Sequence, residues 1–292
     1  GWDEGPGYWD YGLGFTAAFC WALRVFTRGK VDLFRHPFLR CTSDFRLYMH
    51  TGRNRLWNWS DCGKHTGPST ALMAFARASR NPVHQHAALV QGITSPGQVY
   101  FLDPSLRAVS PAKAGYPTSK LFPDLGVLVW RGGFGERDPY VGVKAGDILH
   151  PNHHCHLDMG GVVIHAAGRE LLAELDHWPY PYEGRKDPEI KGYQPGFYDL
   201  KNKRWLTRDF DDRMALGHNG VMLEGEYPQL RTKVKARFLA TREGAGFRVA
   251  IVDSTPFYTP CARRVRRYVV YLLPDGVLLV DEIRAPRPVR AR

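Results

Sequence analysis

The texture of the chain changes near Pro111, and that change limits the folds open to it more than any other feature. Ahead of it the apolar residues recur at helical spacing. Leu13 to Arg28 ends at Gly29, Thr70 to Arg80 follows the opening pair Pro68 and Ser69, and Pro82 to Gln91 reads as a third helix. Phe34 to Trp59 is aromatic and mixed and matches no single period. Beyond Pro111, Gly and Pro punctuate short β-branched runs: Gly126 to Trp130, Gly161 to His165, Leu171 to Asp176, Phe247 to Asp253, Tyr268 to Leu273 and Val277 to Asp281. That rhythm belongs to antiparallel sheets. Pro274-Asp275-Gly276 marks one hairpin and Gly168-Arg169 another. The expectation is an α+β multidomain chain, helical over residues 1–110 and antiparallel β over residues 111–292.

Composition narrows the function. Forty Lys and Arg against twenty-nine Asp and Glu give a formal charge of +11 over 292 residues, a surface suited to an acidic polymer. No zinc-finger spacing, RNP-like aromatic motif or recognition-helix pattern supports nucleic acid, so an acidic polysaccharide is the better match. No apolar run is long enough to span a membrane. The five cysteines are odd in number and form no Cys-x-x-Cys pair, so they read as free thiols. The first residue is Gly1, inside an aromatic, Gly-rich motif, and the chain is expected to be a piece of a longer one. Oligomeric state is not legible.

His150-Pro-Asn-His-His-Cys-His156-Leu-Asp158-Met-Gly160 gathers four of the twelve histidines, a thiol and a carboxylate into eleven residues. In an extended segment His154, His156 and Asp158 share one face. One imidazole is then able to ligate a metal while its neighbour moves protons. The Gly168-Arg169 hairpin adds a carboxylate: if its strands are Gly161 to Ala167 and Glu170 to Asp176, His156 enters and Asp176 leaves at the same end. His218, heading the run Gly217-His218-Asn219-Gly220, supplies a second imidazole. Two imidazoles and one carboxylate suit zinc. For any one of these histidines alone, an ordinary surface or core role is the commoner outcome.

These motifs, in this order, resemble the heparinase II/III-like family of polysaccharide lyases. Asn152 to Gly160 matches the signature Asn-His-x-His-x-Asp-x-Gly with one extra histidine. Gly168 to Asp176 stands for a Gly-x-x-x-x-x-Asp segment, and Gly217-His218-Asn219 for an (Ala/Gly)-His-Asn strand start. Glu4-Gly5-Pro6-Gly7-Tyr8-Trp9-Asp10-Tyr11-Gly12 is similar to the family's tyrosine motif. The resemblance implies a partial α/α toroid, of which residues 1–110 are the C-terminal part, followed by an antiparallel β-sandwich. It implies β-elimination on a uronic acid polysaccharide such as a glycosaminoglycan or alginate, and a periplasmic or secreted location. Tyr8 then serves as base and acid, His154 assists, and Glu4 orients a proton-transfer group or a sugar hydroxyl. One zinc ion, chiefly structural, is held by His156, Asp176 and His218. Arg131 and Tyr180 are the expected substrate contacts, through charge and stacking.

Two departures accompany the resemblance. The Asn or His that neutralises the uronate lies upstream of the tyrosine motif, ahead of this chain, and the Arg- and Pro-rich tail follows Val280-Asp-Glu-Ile before a sandwich would be finished. The piece alone is therefore expected to carry the site residues without a complete cleft. Two other functions fit the same residues: a zinc-dependent hydrolase, and a non-catalytic, zinc-stabilised carbohydrate-binding protein.

Overall fold

The computed structural model describes residues 3–147, 156–175, 198–199, 204–205, 218–223, 228 and 234–291. Helices α1 (Pro6–Phe26), α2 (Pro37–Tyr48), α3 (Thr70–Ser79), α4 (Pro82–Val90) and α5 (Pro96–Phe101) come first, interrupted by the small hairpin β1 (His50–Gly52) and β2 (Arg55–Leu56). Proline stands in the first turn of α1, α2, α4 and α5, where its missing N–H costs nothing. Ser69, Asn81 and Ser95 cap α3, α4 and α5 with their side-chain oxygens. α1 buries Trp9, Leu13, Ala17 and Cys20 on one face and exposes Tyr11, Phe15, Phe19 and Phe26 on the other.

The strands form two five-stranded antiparallel sheets. The first comprises β3 (Ser119–Phe122), β4 (Val127–Arg131), β5 (Tyr140–Lys144), β7 (Val162–Ala166) and β8 (Arg169–Leu172), in that spatial order. The second runs β14 (Gly276–Arg284), β13 (Arg264–Leu272), β12 (Phe247–Asp253), β11 (Lys235–Gly244) and β6 (Gly146–Asp147). A separate short hairpin joins β9 (Tyr198–Asp199) to β10 (Arg204–Trp205). Period-two alternation sorts the side chains of the first sheet to its two faces. Val127, Val129, Tyr140 and Val163 enter a core with the helices, whereas Leu128, Trp130, Val141, Val143 and Val162 enter a second core with Ala250, Val252, Val265, Val269 and Tyr271. The first sheet is thus the middle of three layers, helices on one side and the second sheet on the other. Trp130 stacks on Tyr271 across the sheet–sheet interface, with centroids 6.4 Å apart.

Helices followed by antiparallel sheets match the α+β expectation. The helical core crosses residue 110 and uses the first sheet as its floor. The segment Phe34 to Trp59, unassigned in sequence, holds α2 and the β1–β2 hairpin. Cys20, Cys41 and Cys261 are free thiols. Among the described residues, no helix is long and apolar enough to cross a membrane.

Candidate active site

The β7–β8 hairpin sets the geometry. Its antiparallel register, with Ile164 opposite Leu172, brings the approach to β7 (residues 156–161) and the exit from β8 (residues 173–175) to the same end of the sheet. Asn219 straddles that end, donating from its amide to the carbonyls of Val162 (3.1 Å) and Ala173 (2.7 Å). His218 is thereby fixed beside the hairpin. Arg267 of β13, paired with both carboxylate oxygens of Asp281 at 2.8 Å, donates to the carbonyls of Gly160 and Asn219 from the second sheet.

The His156 and His218 rings lie with centroids 5.2 Å apart. Each is held by a carboxylate: His156 Nε2 lies 2.8 Å from Asp61 Oδ1, and His218 Nδ1 lies 2.5 Å from Glu174 Oε2. All four side chains are at least 96% buried. Burial pulls the His156 pKa below its ordinary value, against the opposing pull of Asp61. The adjacent Asp158 is paired at 3.5 Å with the buried Lys144, whose ammonium sits over the Trp59 ring.

Zinc, implied by the sequence resemblance, meets a donor set of the right kind: two buried imidazoles with carboxylates beside them. Among the described residues, His156 Nδ1 and Asp158 Oδ2 are buried without a hydrogen-bond partner, the condition of atoms that await an ion or a water. Two imidazoles on one tetrahedral ion hold their centroids roughly 5 Å apart, the spacing seen here. Among the described residues no three His, Cys, Asp or Glu side chains converge as a complete coordination group. Asp176, expected as the carboxylate ligand, lies outside the described residues, as do His154 and Tyr180. The carboxylate that reaches His218 is Glu174, two residues earlier. Counting five residues between glycine and acid from Gly168 lands on Glu174, so the signal was present in the sequence.

The tyrosine motif reaches the same place from the helical layer. Tyr8 is half-buried in the first turn of α1, edge-on to Tyr11 at 6.2 Å. Gly5, at φ +95°, has its α-carbon so close to Trp59 that an added Cβ would lie 2.5 Å from the Trp59 carbonyl oxygen. A Cβ on Gly7 would meet Cys62 Sγ at 3.4 Å. Cys62 follows Asp61, which holds His156. The first turn of α1 and His156 therefore meet one buried segment, residues 57–62. Glu4 stands immediately ahead of this turn.

Arg131 lies elsewhere. It pairs across the sheet with Tyr140, and Tyr140 with His165, three residues along β7 from Val162, so roughly 10 Å of strand separates it from the imidazole end. Its guanidinium donates to the carbonyls of Tyr48 (3.2 Å) and His50, and packs over Phe134 and Tyr140. It lines a cavity of about 170 Å³ with Thr51, His86 and Glu136.

Neither a protein-family model nor a curated protein matches the sequence. Solved structures match the fold. A heparinase III structure superposes with a TM-score of 0.66 at 16% identity, over 95% of this chain and 39% of the other. Heparan sulfate lyase HepC from Pedobacter heparinus gives 0.67 at 17% identity, over 97% of this chain and 38% of the other. A further heparinase III gives 0.57 at 17%, over 83% and 31%. The chain thus spans under two fifths of the length of these structures, and at such identities the likeness is one of fold.

Proposed function

We propose that the chain belongs to a polysaccharide lyase that cleaves a uronic-acid-containing acidic polysaccharide by β-elimination. The observation that carries this reading is the convergence of the tyrosine-bearing turn of α1 and His156, beside His218, on residues 57–62, within a fold shared with heparan sulfate lyases. The five helices are read as an arc of an α/α toroid and the two sheets as part of its β-sandwich partner.

Elimination across C4 and C5 of a uronate needs a base for the C5 proton, an acid for the departing 4-linked oxygen, and positive charge near the carboxylate as its enolate character grows. Tyr8 is assigned as base and then acid, its phenol cycling through phenolate so that one group serves both transfers. His154, on the segment that leads into His156, is assigned the assisting proton transfer, and Glu4 the orientation of a hydroxyl or of the phenol. His156 and His218 would hold zinc with a carboxylate from Glu174 or Asp176. Bound by these residues, zinc would supply a fixed positive charge beside the segment that bears His154. Tyr180 is assigned to sugar stacking, and Arg131 to positive potential in the cavity it lines. A lyase that meets such a polymer outside the cytoplasm would be secreted or periplasmic.

The test is an ultraviolet screen of the protein against heparan-type chains, alginate and other uronate polymers. A lyase leaves a conjugated enoate that absorbs, whereas a hydrolase leaves saturated ends and a binding protein leaves the polymer intact. Cleavage without new absorbance would replace this reading with hydrolysis.

A further inference from the structure

Residues 57–62 form an irregular segment that lies inside the molecule, an unusual place for one, since loops carry backbone groups that prefer water. Trp57, Asn58, Trp59, Ser60, Asp61 and Cys62 are all buried. The loop is closed at its neck by Leu56 N–H donating to the Lys64 carbonyl at 2.9 Å. Ser60 takes a left-handed φ of +52°, which costs a non-glycine residue about 1 kcal/mol and persists only where the surroundings enforce it.

Part of those surroundings comes from the β layer. Trp57 lies flat on Gly142 of β5, so close that a Cβ there would stand 2.7 Å from the indole. Asn58 donates to the Leu175 carbonyl at 2.7 Å, Lys64 pairs with Glu170 of β8 at 3.1 Å, and the Lys144 ammonium covers Trp59. The result is one directed contact: Asp61, from the helical side, reaches His156, 95 residues away, at Nε2 and leaves Nδ1 of that ring without a partner among the described residues.

We propose that Asp61 is a positioning residue for the metal site: it fixes the tautomer and orientation of His156 so that Nδ1 faces the ion. The proposal rests on the zinc reading of the cluster and adds that the site draws its outer support from the helical layer. Carboxylates behind ligating imidazoles commonly set metal affinity by 10–100-fold. Asp61→Ala removes both the charge and the acceptor, while Asp61→Asn keeps an acceptor oxygen and loses only the charge.

The experiment strips the protein with a chelator and measures zinc affinity by competition with a chromophoric chelator, for the unaltered protein and for Asp61→Ala, Asp61→Asn and His156→Ala. Thermal melts of the metal-free forms report folding separately, and the visible spectrum of the cobalt(II) form reports ligand geometry. Expected are tight binding of one zinc by the unaltered protein, loss of it in His156→Ala, a weakening of about 10–100-fold in Asp61→Ala and a smaller one in Asp61→Asn. The cobalt spectrum of the Asn form should shift although its metal-free melt matches the parent. Unchanged affinity and spectrum in both Asp61 variants, beside a loss in His156→Ala, would overturn the role of Asp61 and leave the zinc site standing. No zinc binding by the unaltered protein would overturn the zinc reading and the inference together.

Discussion

The side-chain amide of Asn58 donates to the main-chain carbonyl of Leu175 at 2.7 Å, joining a buried loop of the helical layer to the strand exit that follows Glu174. With the Asp61–His156 contact, it ties the loop that packs against the first turn of α1 to the histidine side of the site. Asn58→Ala would leave the Leu175 carbonyl without this donor, and a buried group so orphaned costs about 1–3 kcal/mol. Chemical denaturation should show that loss, with zinc affinity falling alongside it.

Gly142 is the second element of this junction. With a Cβ there the Trp57 ring would be met at 2.7–2.9 Å, inside any normal contact. Gly142→Ala should destabilise by about 1–3 kcal/mol through overpacking. A melt unchanged from the parent would mean that Trp57 is not seated on β5.

On the zinc reading proposed above, two acids that stand two residues apart compete for the third ligand position. Glu174 already holds His218 Nδ1 at 2.5 Å, so Glu174→Gln should weaken zinc binding by about tenfold or more. Asp176→Asn should weaken it by less. The reverse order, measured by the same chelator competition, would make Asp176 the carboxylate ligand.

Acid should destabilise the metal-free protein. Burial pushes the His165 pKa down to about 4, and burial likewise holds His50 and His156 below the ordinary imidazole value of 6.5. In the unfolded chain these rings protonate near 6.5, whereas in the native state they stay neutral to lower pH. Between about pH 6.5 and about pH 4 the unfolded state therefore binds more protons, so the stability present above 6.5 is lost as the pH falls. His165 alone accounts for about 3 kcal/mol of this at most. Melting temperatures from about pH 7 to about pH 4.5 should fall steadily, and less steeply in His165→Asn.

How much of this was legible in the sequence depended on the range of the interaction. Local chemistry was readable: Pro274-Asp275-Gly276 does turn β13 into β14, and Pro68 with Ser69 does open α3. The end-to-end meeting of His156 with the exit of β8 followed from hairpin geometry alone. α2 was hidden because the face it buries includes polar residues, Thr42, Ser43 and Arg46, of which Thr42 and Arg46 are satisfied by the distant Trp9 and Asp10, so no apolar stripe marks it. β11 was hidden because Arg and Thr alternate with its few buried positions. The pairing of Asp61 with His156 was beyond reach for a similar reason. The aspartate sits in an ordinary polar run, and only folding places it on an imidazole 95 positions later. Glu174 stands at the signature's own spacing from Gly168, two residues ahead of Asp176, and its contact with His218 shows only in the fold.

Tyr8 carries the central claim. Product formation by the protein and by its Tyr8→Phe variant should be followed in the ultraviolet on a uronate polysaccharide that the parent cleaves, with polysaccharide binding and zinc content measured on the same samples. The account predicts that the variant keeps its fold, its zinc and its hold on the polymer while its elimination rate falls by at least about 10²-fold, since one phenol is asked to move both protons. An elimination rate in Tyr8→Phe equal to that of the parent would contradict it.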